Sequence, residues 1–440
     1  MFDSSTDDAA ALLDGPARGP RLNAEDLNRA CACTTLDPVH LRRQLDTEPA
    51  LAGLAADIAL SCPNLLSSTA VFITPAQRER MAAIARTVRE VTMEARYREA
   101  VLHRAPDIAG VDFGPQGAFL GFDFHLSARG PQLIEINTNA GGALLNVALA
   151  RAQRACCDEA AAAFAPSGDL TRLEESFFAM FESEWRLQRG GVTLARVAIV
   201  DDAPAEQYLY PEFRLFARLF ARFGVEAMIV DARELEWRDG RLAYRGKTID
   251  LVYNRLTDFY FERPEHAALR DAYLTDAVVV TPHPRAHALY ADKRNLVTLS
   301  DANALAALEI DSATREILAT GVPRTVAVSA DNADALWAQR RRLFFKPAAG
   351  YGSKAAYRGD KLTRRAWDEI LAHPPYVAQA LIAPSERVVS VDGAETDLKL
   401  DLRAYVYAGR TQLLASRLYR GQTTNFRTAG GGFAPVFVLR

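Results

Sequence analysis

Cysteine is scarce in this 440-residue chain: Cys31, Cys33, Cys62, Cys156 and Cys157 are all there are. No two form a CxxC pair, and the odd number argues against a disulfide framework, so reduced thiols in a cytosol are expected. Long apolar runs are missing as well, and none approaches the roughly 18 residues a membrane span needs. The opening segment MFDSSTDDAA is acidic, without the basic region and apolar core of a secretory signal. Charge is nearly balanced at a formal net -3, which gives no sign of a nucleic-acid or membrane surface. Motifs for several chemistries are absent too. There is no HExxH, His283 and His287 have Pro284 between them, and no GxSxG elbow occurs. The expectation is a cytoplasmic protein with neither nucleic-acid nor membrane partners.

What is present is an ordinary globular composition, 49% hydrophobic and 24% charged, long enough for two or three domains. Residues 1 to about 20 are rich in Asp, Ala, Gly and Pro and are expected to fray. Thr74-Pro75 reads as a helix start, with Met81, Ile84, Val88 and Val91 at helical spacing. An Ala-rich helical stretch is expected near Ala143–Ala163, and another helix near Leu170–Gln188. From Val192, strands and helices alternate: Val197–Val200, a helix striped by Phe213, Phe216, Phe220 and Phe223, Val225–Val230, Leu251–Tyr253, a helix near Pro264–Leu274 and Val278–Val280. That alternation implies a mostly parallel sheet covered by helices. Gly240–Thr248 ends like a phosphate loop, but its glycine spacing is wrong and a strand follows, so it reads as a hairpin.

The segment Gly121–Gly142, GFDFHLSARGPQLIEINTNAGG, reads as two strands around a polar turn at Ser127–Pro131. Residues two apart on a strand share a face, so Glu135 and Asn137 aim at one place, and Asp123 can reach it from the neighbouring strand. Two carboxylates and an amide oxygen make a hard set suited to Mg²⁺ that also holds phosphates. The same pattern also describes a plain hairpin with a wet face. Farther on, Leu343-Phe344-Phe345-Lys346-Pro347 is a strand entering a glycine-rich loop. There Gly350, Tyr351, Gly352 and Ser353 could bring backbone N–H groups to phosphate oxygens, with Lys346 adding a point charge. GYGSKA matches GxGxxA, but no long helix opens at the last glycine, which favours a strand–loop–strand flap over a dinucleotide fingerprint.

Asp123, the turn, and Glu135-x-Asn137 followed by glycines resemble the metal-binding end of ATP-grasp enzymes. In that family the segment follows the nucleotide-binding lysines, whereas here it precedes them. The resemblance extends to Asp292-Lys293, implying that Lys293 meets the α- and β-phosphates. It also extends to Tyr376–Ile382 with Glu386, implying an adenine hinge at Gln379 and Ile382 and a ribose ligand in Glu386. Asp401-Leu402-Arg403, Arg417 and Asn425 with Gly430–Gly432 resemble the arginine and glycine series of glutathione synthetase-like ligases. Matching pieces at both termini, in rotated order, resemble a circularly permuted ATP-grasp protein of the glutathionylspermidine synthase-like group.

The fold class implied is α/β (α+β): a circularly permuted ATP-grasp fold with a Rossmann-like domain ahead of the nucleotide part. The expected units are residues 20–165, 190–300 and 301–440. The implied cofactors are ATP and Mg²⁺, with metal ligands Asp123, Glu135 and Asn137. The implied activity is a carboxylate–amine ligase working through an acylphosphate, with Arg417 steadying that species and Arg403 supporting it. Its partners would be a small-molecule or peptide carboxylate and an amine, and a homodimer is allowed. A phosphotransferase and a nucleotide-binding accessory protein without turnover are the alternatives.

Overall fold

The computed structural model describes residues 23–440 apart from 31–33, 47–48, 156, 351–354, 374 and 392. The frayed start expected at residues 1–20, and Cys31, Cys33 and Cys156, lie outside the described residues. Cys62 is buried and Cys157 exposed, and both are free thiols. No helix among the described residues is long and apolar enough to cross a membrane.

The largest sheet has eight strands drawn from both ends of the sequence. Its main path runs Val71–Ile73, Gly432–Leu439, Arg410–Tyr419, Ala394–Tyr407, Leu120–Ser127, Gly130–Asn137. The 14-residue strand Ala394–Tyr407 makes this possible. Along one edge its first half pairs with Ser385–Val391 and its second half with Leu120–Ser127, while Arg410–Tyr419 lines the other edge. Both faces are covered. Leu402, Ala404, Val406 and Leu414 pack with Met81, Ile84 and Val88 of helix Pro75–Met93, and Tyr405, Leu413 and Ala415 join a second core on the far side. The helix starts as Thr74-Pro75 predicts, with a reciprocal capping box between Thr74 and Gln77.

A second sheet, Val279–Thr281, Leu251–Asn254, Arg196–Asp201, Glu226–Asp231, is parallel throughout. Helix Tyr210–Arg222 lays Phe213, Phe216 and Phe220 into the core beside it. Phe223, expected on the same stripe, caps the helix and stacks on Phe178 with ring centroids 4.1 Å apart. Phe119 ties the two sheets together, with edge contacts to Phe177, Phe216 and Tyr405 and a tilted contact to Tyr253. The Gly240–Thr248 segment is a hairpin, as its spacing predicts. The Ala-rich stretch near Ala143–Ala163 is not one helix. It breaks into Ala143–Arg151 and Asp158–Ala163 because Gln153–Ala155 leaves to pair with Thr34–Leu36.

A third, antiparallel sheet orders Thr325–Ala327, Tyr376–Ala380, Leu343–Pro347, Tyr357–Arg358. Phe345, Trp367, Ile370 and Leu336 form its small core. The glycine-rich loop therefore joins two strands, and this flap faces the large sheet across a cleft.

Candidate functional site

The cleft between the third sheet and the hairpin Leu120–Asn137 holds a cavity of about 320 Å³. Residues expected at the site from distant parts of the sequence meet on its walls: Asp123, Glu135, Asn137, Lys293, Lys346, Gly350, Gln379, Ile382, Arg403 and Arg417. Tyr351, Gly352 and Ser353 lie outside the described residues. Glu386, expected at the ribose, is not brought to the wall. Strand alternation turns Arg387 inward and leaves Glu386 exposed beside Lys399.

Ile134, Phe344, Leu381 and Ile382 give the cavity an apolar lining. His125, which carries no motif in the sequence, sits there with Nδ1 2.8 Å from the Ile382 carbonyl oxygen. A carbonyl only accepts, so Nδ1 carries the proton. Burial holds this imidazole below its ordinary pKa.

The hairpin supplies the acidic wall. Asp123 pairs with Glu135, and a bulge leaves Ile134 as the extra residue between Leu133 and Glu135. The bulged carbonyl of Ile134 has a use: Lys346 Nζ donates to it at 2.7 Å and to Gln379 Oε1 at 2.9 Å. Burial pushes the Lys346 pKa down to about 8, with Glu135 opposing and Lys293 adding to the fall. Lys293 Nζ donates to the Gly350 carbonyl at 2.7 Å and stands 4.0 Å from Glu135 Oε1. Two ammonium groups thus flank one partly exposed carboxylate.

Beyond Glu135 the wall becomes a closed ionic quartet. Arg403 grips Asp123 side-on, Nε to Oδ1 at 2.7 Å and Nη2 to Oδ2 at 2.8 Å. Arg417 Nη2 donates to the same Asp123 Oδ2 at 2.8 Å, while its Nε and Nη2 hold Asp401 at 2.8 and 2.9 Å. Thr424 donates to Asp401 as well. Burial works to raise the Asp123 pKa, and the two guanidinium groups overcome it and hold the carboxyl below its ordinary value.

The expected all-oxygen set fits a hard divalent cation in part. Glu135 accepts no hydrogen bond from the described residues, and Asn137 spends only its amide N–H, on Asp123 Oδ2 at 3.0 Å. Both keep oxygens to offer, and a carboxylate plus an amide oxygen leaves room for phosphate and water around Mg²⁺. Asp123 departs from the expectation, since four donors already occupy its two oxygens. Among the described residues no cluster of three His, Cys, Asp or Glu side chains surrounds a cation position.

No protein-family model matches this sequence, and comparison with curated proteins finds no match. Solved structures do match. A glutathione synthetase-like effector from Globodera pallida, in its apoform, aligns over 91% of this chain and 98% of its own, with TM-score 0.54 and 13% identity. That likeness shows a shared fold. More remote are a gamma-glutamylcysteine synthetase-like protein from Methylobacillus flagellatus (TM-score 0.43, 13% identity, 82% of this chain and 88% of that one) and the ATP-grasp ligase PsnB with its minimal precursor (TM-score 0.31, 16% identity, 56% and 89%). The chain is a mixed α/β protein that shares the fold of the glutathione synthetase-like effector.

Proposed function

We propose that this protein is an ATP- and Mg²⁺-dependent carboxylate–amine ligase with a circularly permuted ATP-grasp fold. One observation carries the reading: a single cavity is lined by apolar side chains, two lysines, an open carboxylate–amide pair and two arginines. The apolar lining beside Ile382 suits an adenine ring, and Gln379 fixes the lysine beneath it. Lys293 and Lys346 would neutralise the polyphosphate. Glu135 and Asn137 would hold Mg²⁺, which supplies charge stabilisation at the transferring phosphoryl oxygens. The substrate carboxylate attacks the γ-phosphorus, the bond to the β,γ-bridging oxygen breaks, and ADP leaves. Arg403 and Arg417 steady the acylphosphate until an amine nitrogen attacks its carbonyl carbon and phosphate departs.

The permuted reading is supported by the eight-stranded sheet, which draws on residues 71–166 and 385–439. Residues 20–165 and 301–440 would then form one ATP-grasp unit, with 190–300 as a Rossmann-like companion. The substrates would be a small-molecule or peptide carboxylate and an amine, met in the cytoplasm. The test is an ATP-consumption screen against pooled carboxylates and amines, with mass spectrometry of the products. The expected result is ADP and phosphate released only when both pools are present, with an amide as product. A phosphorylated hydroxyl product would replace the ligase with a kinase.

A further inference from the structure

Asp123 is 3% exposed and lines the cavity together with the two arginines that hold it. Four N–H donors reach this carboxylate, three on Oδ2 and one on Oδ1, against about four lone-pair positions. A cation at Oδ2 would have to displace the Nη2 groups of Arg403 and Arg417, each at 2.8 Å, and one at Oδ1 would stand beside the Arg403 Nε held there at 2.7 Å. Both displaced charges would stay buried, which is the costly way to break such a pair. Glu135, on the paired position of the next strand, presents no such barrier.

The geometry of the arginines points the same way. Asp123 takes the Nε and Nη2 edge of Arg403, and Asp401 takes that edge of Arg417. Each Nη1 is left without a hydrogen bond among the described residues. Two carboxylates and two guanidinium groups cancel in charge, so the arginines are held in place without strong attraction for stray anions. We propose that Asp123 is a positioning residue for Arg403 and Arg417, not a ligand of the divalent cation, and that the Nη1 ends it orients receive the phosphorylated carboxylate. The inference rests on the ligase reading only for the identity of that anion.

Asp123→Asn separates the roles. Removing one negative charge leaves the arginines in excess. Inorganic phosphate, titrated calorimetrically without nucleotide, should therefore bind at least about threefold tighter than to the wild type. The Mg²⁺ concentration giving half-maximal binding of the non-hydrolysable analogue AMP-PNP should stay within about twofold of wild type. In Glu135→Gln the same midpoint should rise about tenfold or more, with phosphate affinity unchanged. A midpoint raised tenfold in Asp123→Asn, or phosphate affinity that is unchanged or weaker, would overturn the proposal. If Asp123→Asn does not fold, the charge-balanced double variant Asp123→Asn/Arg403→Gln carries the Mg²⁺ arm, where an unshifted midpoint supports the proposal and a tenfold rise defeats it. A wild-type protein that binds no AMP-PNP at any Mg²⁺ concentration would remove the ligase reading and leave the phosphate arm to decide the role of Asp123.

Discussion

Lys346 sits where protonation and ligand binding meet. Its pKa is depressed to about 8 because the ammonium is buried. Between about pH 8 and the unfolded value of 10.5 the unfolded chain holds a proton the folded protein has released. Stability therefore rises with pH across that window, and the burial penalty is fully present below it. Nucleotide binding should run the opposite way, since polyphosphate favours the charged lysine. At pH 9, Mg·AMP-PNP should bind several-fold more weakly than at pH 7 and take up close to one proton. Calorimetry in buffers of different ionisation enthalpy would read that uptake, and uptake near zero at pH 9 would remove Lys346 from the phosphate contacts. Glu135→Gln keeps the shape and one oxygen of the side chain and removes its charge. ATP turnover should fall on the order of a hundredfold at every Mg²⁺ concentration, with thermal stability held or raised. Unchanged turnover would place Glu135 outside the site. At this scale the sequence was informative where a rule of period applies: Glu135 and Asn137 are two apart on a strand, and share a face. It was silent where a partner lies far along the chain. Arg403 stands 280 residues from Asp123, and no local pattern shows that it fills that carboxylate. Glu386 illustrates the converse, a residue with the right motif position turned outward by one step of strand alternation.

Among the elements, the turn that follows Asn137 is tightly constrained. Gly142 has φ +101°, and a methyl group there would overlap the Phe433 ring. Its N–H donates to buried Glu212 at 2.7 Å. Gly142→Ala should cost at least about 2 kcal/mol through combined backbone strain and overpacking. Gly240 is the control. It also has positive φ, +70°, but faces open space, so Gly240→Ala should cost only about 1 kcal/mol. Chemical denaturation of the two variants compares them, and equal losses would mean that packing against Phe433 contributes nothing. Helix Pro75–Met93 was legible from its start signal and stripe, and the phenylalanine helix from its stripe. The break at Gln153–Ala155 was not, since that short strand exists only through its pairing with Thr34–Leu36. The Ile134 bulge was equally hidden. One extra residue in a strand leaves no compositional trace, yet it delivers the carbonyl that anchors Lys346.

For the whole molecule, the parallel sheet could be read from strand–helix alternation, while the eight-stranded sheet needed knowledge of which distant strands pair. Leu120–Ser127 binds Ala394–Tyr407, and Val71–Ile73 binds Gly432–Leu439. Residues 190–440 produced alone should therefore aggregate, because the edge of Ala394–Tyr407 would be bare. Co-expressed with residues 1–189, both pieces should become soluble and co-purify. Residues 190–440 that fold alone as a monomer would show the sheet to be divisible.

The same interleaving imposes an order in time. A ribosome adds about 5–20 residues per second, and roughly 270 residues separate Asn137 from Tyr407, the end of the strand that pairs with the hairpin. The acidic hairpin thus waits on the order of 15–55 s for that strand, and the strand Val71–Ile73 waits longer still for its parallel neighbour. A stop at codon 432 would remove Gly432–Leu439, a strand flanked by three others, so the nascent chain commits to its large sheet only once that strand has been made.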